Sequence, residues 1–162
     1  YGAESAVLDV RAADASASPL AVVAPGPQTL AWRILTDTYS CAWPREFVLA
    51  DDPDGLSAFL LAGERGALMW VSGPMPSERA LPIENLADED QRVRAIADEG
   101  ENVRIDLDYV HEGEPWWQRR YVLHWGADEV LVLTAQAMAL DEDVVRAAID
   151  ELAQTIAPAL PN

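Results

Sequence analysis

The chain has 162 residues, half of them apolar, with 28 acidic residues against 11 basic ones and a formal charge of −17. That length suits one domain with its own hydrophobic core, and the apolar content rules out a disordered acidic tail. A surface of this sign repels phosphate backbones and anionic lipid, so nucleic acid and anionic membranes are poor partner candidates and a basic protein is a better one.

Residues 1–30 read as an irregular entry with two short strands, one around Val7, Leu8 and Val10, the other around Leu20, Val22 and Val23. Pro25-Gly26-Pro27 then breaks the chain, because each proline fixes φ and lacks a donor. Leu30, Trp32 and Ile34, followed by Tyr39, Cys41 and Trp43, recur at alternate positions up to Pro44 and predict strands with one buried face. Phe47, Val48 and Leu49 come next, and Asp51-Asp52-Pro53-Asp54-Gly55 signals a turn. Residues 58–62 and 67–71 flank Gly63-Glu64-Arg65-Gly66 as a hairpin. Gly73-Pro74-Met75-Pro76 ends that hairpin, and the prolines there and at Pro82 place the segment outside a sheet interior.

A narrow apolar stripe of Leu86, Val93, Ile96 and Ala97 predicts a helix over 85–98, started near Asn85 and stopped by Gly100. The clearest sheet pattern follows. Val103, Ile105, Leu107 and Tyr109 alternate with Arg104, Asp106 and Asp108, and His111-Glu112-Gly113-Glu114-Pro115 turns the chain. Trp117, Arg119, Tyr121, Leu123 and Trp125 then alternate with Trp116, Gln118, Arg120, Val122 and His124, before the dense apolar run of 130–137. Residues 102–137 thus read as a three-stranded antiparallel meander. The last element is a helix over 141–157, capped by Asp141, with Val145, Ile149, Leu152 and Ile156 on one face and Pro158 at its end. Together these elements imply an α+β sandwich: an antiparallel sheet packed against a C-terminal helix and a shorter middle helix. The whole of 1–162 reads as a single domain, with its core in 31–160.

This order of elements resembles the PsbP-like superfamily, a fold shared with the Ran-release factor of eukaryotic nuclei and with small bacterial envelope and lipoprotein domains. The parts that carry the resemblance are Tyr39–Pro44, the hairpin over 58–72, the stretch Arg120–Ala137 and the helix over 141–157. They cover about three-quarters of the chain by layout, without a diagnostic motif. The resemblance implies a binding, assembly or chaperone role and carries over no functional residue, since that superfamily has no shared active site.

The residues themselves show little chemistry. No serine lies in a Gly-x-Ser-x-Gly elbow, and there is no phosphate loop or dinucleotide fingerprint. Cys41 is the only cysteine, so no intrachain disulfide forms, and its place in an alternating apolar strand marks a buried inert thiol rather than a nucleophile paired with His111 or His124. Asp106, Asp108, His111, Glu112 and Glu114 are the one grouping of metal-ligand types, and they read as a polar hairpin instead. No enzymatic activity, metal or cofactor is expected. No apolar run reaches the roughly 20 residues that span a bilayer. Starting at Tyr1 without a basic-plus-apolar leader, the chain reads as a processed or trimmed product, either cytoplasmic or exported to a bacterial envelope.

The aromatics say more. Six tryptophans are present, and Trp116 and Trp117 must face opposite ways on a regular strand, with Arg119 and Arg120 beside them. Exposed Trp and Arg are typical interface anchors, so Trp116, Trp117, Arg119 and Arg120 are the candidate contact residues, whereas Trp43 and Trp70 look like core. The leading expectation is a non-enzymatic protein-binding or accessory domain whose partner is another protein. One alternative is an acidic immunity or inhibitor protein that neutralises a basic toxin or nuclease. Another is a small-molecule binder with an aromatic-lined pocket between sheet and helix.

Overall fold

The computed structural model of the chain describes residues 5–9, 22–23, 31–50, 59–100 and 102–159. The first half supplies short strands: β1 (Ser5–Asp9), β2 (Val22–Val23), β3 (Ala31–Leu35), β4 (Tyr39–Ala42), β5 (Val48–Ala50), β6 (Leu60–Ala62) and the longer β7 (Leu68–Pro76). The second half supplies β8 (Arg92–Glu99), β9 (Asn102–His111), β10 (Glu114–His124), β11 (Glu129–Met138), the helix α1 (Glu142–Thr155) and the short β12 (Ala157–Pro158). Eight strands form one sheet in the order β2-β5-β6-β7-β11-β10-β9-β8, and β1-β3-β4-β12 form a second. Apart from the parallel β1–β3 pair, neighbours run antiparallel. The expected α+β arrangement, an antiparallel sheet with a C-terminal helix packed on it, is the one adopted.

Tight turns set the register of the large sheet. His111 pairs with Glu114, which leaves Glu112 and Gly113 as a two-residue loop with φ of +53° and +86°. Two positive φ values are what a twisted hairpin needs, and Gly113 takes the second without strain. The turn places Trp116 opposite Tyr109 and Arg119 opposite Asp106. On one face of the sheet Trp117, Tyr121, Leu123, Leu131, Leu133, Ala135 and Ala137 pack beneath Val145, Ala148, Ile149 and Leu152 of α1. Ile34, Tyr39 and Cys41 of the small sheet, and Trp43 just after it, join the same core. Each fully buried aliphatic side chain there is worth about 1.5–3 kcal/mol. The second face carries a smaller core of Ile105, Leu107, Val122, Val130 and Val132, covered by Ala80 and Ile83 from the 77–88 segment.

Several expectations need correction. Residues 85–98 do not form a helix. Ile83–Leu86 make a single 3-10 turn, and from Arg92 onward the chain is the edge strand β8, so the middle helix is replaced by a strand. Its stripe was too thin to hold a helix against a sheet: Val93 and Ile96 stay exposed, while pairing with β9 satisfies the backbone. Gly100 is a hairpin turn at φ +79° rather than a helix stop, since Glu99 pairs with Asn102. The meander therefore has four strands, β8 to β11.

The 58–72 hairpin also runs further than expected. β7 continues through Pro74 to Pro76, which lies opposite Glu129. The prolines are tolerated because β6 pairs only as far as Trp70, leaving the end of β7 with one neighbour, and because the ladder shifts register between Val130 and Val132. Gly73 sits at that shift with φ +104°, where an added Cβ would lie 2.8 Å from the Val130 carbonyl oxygen. Asp141 starts α1 but caps it with no side-chain hydrogen bond, because its carboxylate is held by Arg65. The helix ends at Thr155, and Pro158 then belongs to a strand beside Tyr39. Trp43 is core as expected, whereas Trp70 is only partly buried. Val10, Leu20, the 25–27 break and the 51–55 turn lie outside the described residues.

Candidate binding surface

The alternation of β10 divides the four candidate residues between two environments. Trp117 is completely buried under α1, and Arg119 is 4% exposed beside it. Arg119 makes a bidentate pair with Asp106 at 2.7 and 2.9 Å and donates a third bond to Asp150 of α1 at 2.8 Å. Tyr121 donates to the same Asp150 oxygen at 2.7 Å. The Arg119 guanidinium lies 5.5 Å from the Trp117 ring centre and 5.9 Å from that of Tyr121, and Arg146 approaches Trp117 from the helix at 5.9 Å. Burial works against the Arg119 charge, but hydrogen bonds and attraction from Asp106 and Asp150 outweigh it and hold its pKa above the ordinary value. Burial, reinforced by the hydrogen bond to Asp150, keeps Tyr121 protonated past its usual range. This network fastens α1 to the meander. Within it Trp117 and Arg119 are enclosed and offer no surface to a partner.

Trp116 and Arg120 lie on the other face. Arg120 bonds the Leu86 carbonyl and donates from Nε to Gln118 Oε1 at 3.0 Å, with Asp88 at 3.7 Å, so it ties the 77–88 segment onto the sheet. Burial lowers its pKa, partly offset by Asp88 and Tyr109. Trp116 is half-buried. Its ring centre lies 6.2 Å from Tyr109 at a 32° tilt, and His111 meets it edge-on at 5.7 Å. Next to this cluster runs a row of amides. Gln91 donates to Gln118 at 3.3 Å, Gln118 to Gln136 at 3.2 Å, and the Tyr109 hydroxyl reaches the same Gln136 oxygen at 3.5 Å. Gln91 also closes the turn beginning at Asp88, its Oε1 accepting from the Asp88 amide at 3.1 Å. The row thus anchors an acidic turn beside the aromatics.

An open depression of about 530 Å³ lies at this end of the sheet, lined by Tyr109, Val110, Pro115, Trp116, Asp90 and the Arg92–Asp108 pair among others. Val110, on the hairpin that forms its wall, is 65% exposed. Sequence reasoning singled out Trp116 but missed Tyr109 and the glutamines around it. The legible signal was the Glu112-Gly113 turn, since a two-residue loop fixes Tyr109 opposite Trp116.

Elsewhere the chemistry is sparse. Cys41 is fully buried and unpaired, and burial, partly countered by Arg33, pushes its thiol up to about 12, which leaves no thiolate near neutral pH. Among the described residues no three His, Cys, Asp or Glu side chains gather closely enough to hold a metal ion, and no helix is long and apolar enough to cross a membrane. A cavity of about 350 Å³ lies between the turn after β6 and the start of α1. Phe47 is its one aromatic residue, and the Arg65–Asp141 pair lines it.

No family model and no curated protein matches the chain. Solved structures similar in layout include two from bacteria. The solution structure of cyanobacterial PsbP from Synechocystis is 12% identical, with 91% of this chain and 96% of that one covered and a TM-score of 0.46. LpqN, described as involved in cell envelope biogenesis of Mycobacterium tuberculosis, is 14% identical over 91% of this chain and 87% of its own, with a TM-score of 0.40. Both scores lie below one half, so the likeness extends to the general layout and no further.

Proposed function

We propose that this chain is a single-domain, non-enzymatic protein-binding module that meets its partner at the aromatic depression around Trp116. The observation that carries the reading is the split along β10. Trp117 and Arg119 are used up in fastening the helix, while Trp116, Tyr109, His111 and Val110 form an aromatic and apolar surface that stays partly open to solvent, with the far edge of the Trp116 ring beside Gly66. Half-exposed Trp and Tyr held by a rigid hairpin supply contact area at small entropic cost. The depression is open, a shape that suits a segment of another protein better than an enclosed small molecule. Trp117, Arg119 and Arg120 support the strand that presents the contact.

Affinity capture from envelope and cytosolic fractions, with wild-type, Trp116→Ala and Leu140→Ala chains as bait, tests this. Leu140 is 67% exposed and lies outside the depression lining, so its variant is the surface control. One identified protein, retained by wild type and Leu140→Ala but lost by Trp116→Ala, is the expected result. A partner that Trp116→Ala retains, or none in either fraction, overturns the reading.

A further inference from the structure

The charges around the depression narrow the kind of partner, on the reading that Trp116 is a contact residue. Acidic side chains flank the aromatics on two sides. On one side is the turn of Asp88, Glu89 and Asp90, fixed by Gln91 and Arg120; on the other is the hairpin tip with Glu112 and Glu114. All five are exposed, and among the described residues Glu89, Asp90, Glu112 and Glu114 make no ion pair. The nearby arginines are already engaged: Arg92 with Asp108 at 3.1 Å, Arg94 with Asp108 and Glu142, and Arg120 with Leu86, Gln118 and Asp88. Asp90 thus lines the depression beside two electron-rich rings without a cationic partner among the described residues, and the other four acids add negative charge at its margins.

We propose that the depression takes an arginine- or lysine-bearing segment of a partner polypeptide, its cation seated against Trp116 and Tyr109 and paired with Asp90. Two physical effects converge on that choice. The quadrupole of an indole attracts a cation over its face, more strongly than the other aromatic rings do. The field of a chain with a net charge of −17 steers cationic partners toward it and repels anionic ones. Burial and, after it, Asp90 raise the pKa of the Tyr109 hydroxyl, with Arg120 acting against them, so ring and carboxylate share one microenvironment. The backbone amide of Asp88 and the side chain of Gln118 hold the acidic turn through Gln91, so its backbone need not be ordered by a partner.

The test is an NMR titration of the whole labelled chain with a blocked Gly-Arg-Gly-Arg-Gly peptide and with its citrulline counterpart, which keeps shape and hydrogen bonding but loses charge. Saturable shifts at the Trp116 indole and at the amides of His111 and Asp90 are expected with the arginine peptide. Trp116→Ala and Asp90→Asn should each weaken that binding about tenfold, and added salt should weaken it further. Equal binding of the citrulline peptide overturns the cationic assignment while leaving the protein-contact reading intact. Absence of shifts with either peptide overturns it as well. A chain that sediments as a dimer and becomes monomeric on Trp116→Ala would make a second copy the occupant, and the assignment falls.

Discussion

Trp116 and Trp117 are joined by one peptide bond and belong to opposite faces of β10. Trp117 looks into a core closed by α1, with two guanidinium groups against its ring and no exposed surface. Trp116 looks out, stacked on Tyr109 and bordered by amides and acids. The same contrast runs through their arginine neighbours, Arg119 held by two carboxylates inside and Arg120 holding a backbone carbonyl at the margin. A residue's type says it is suited to an anchor. Its parity along the strand decides whether it anchors the fold or another molecule.

Substitutions on the two faces should separate fold stability from binding. The largest losses belong inside. Trp117→Ala and Arg119→Ala should each cost about 3–5 kcal/mol in urea unfolding, the first by opening a cavity and the second by leaving Asp106 buried without its cation. Trp117→Phe should cost well under half as much as the alanine variant, since the buried indole N–H has no partner to lose. If Arg119→Ala unfolds at the wild-type urea midpoint, the network does not fasten the helix.

Alkaline pH probes the same interior through Cys41. Its folded pKa of about 12 lies above the ordinary 9.0, so between those values the unfolded chain has given up a proton that the folded chain keeps. Stability from this group is complete below about pH 9 and is lost as pH rises, by up to about 4 kcal/mol over the window. Tyr39, whose pKa is likewise raised by burial and then by Cys41, adds to the loss above its own ordinary value of 10.0. Urea midpoints measured from about pH 8 upward should fall, and the Cys41→Ala chain should fall less steeply. Equal slopes would place the thiol in contact with solvent.

Smaller effects come from the outer face. Gly113→Ala should cost about 1–2 kcal/mol from its positive φ alone, because nothing lies within 4 Å of an added Cβ. Trp116→Ala should lower stability by about 2 kcal/mol, the worth of its two ring contacts with Tyr109 and His111, while removing the partner contact. A loss as large as that of Trp117→Ala would erase the distinction between the two faces.

Much of the fold was legible because local pattern and tertiary demand agreed. The alternation of 103–109 and 116–125, the dense run of 130–137 and the spacing of Val145, Ile149 and Leu152 all describe faces that the core then buries. The middle segment was misread where they disagreed. Arg92–Glu99 has a weak period of either kind, and an edge strand with one neighbour needs no strong apolar face. The continuation of β7 through two prolines was hidden for a related reason, since sequence does not reveal that β6 stops short and leaves that flank unpaired.

For the candidate surface, the residues alone determined that Trp116 and Trp117 part company and that the chain's charge favours a cationic partner. Only the tertiary structure decided which tryptophan is enclosed, that Arg119 belongs to Asp106 and Asp150, and that Gln91 brings an acidic turn to the aromatic pair. The physical reason is one of range. Strand parity and net charge are properties of the chain itself, readable at any residue. Which face a helix covers, and which side chains meet across it, depends on contacts between segments far apart in sequence, and these exist only after the chain has closed.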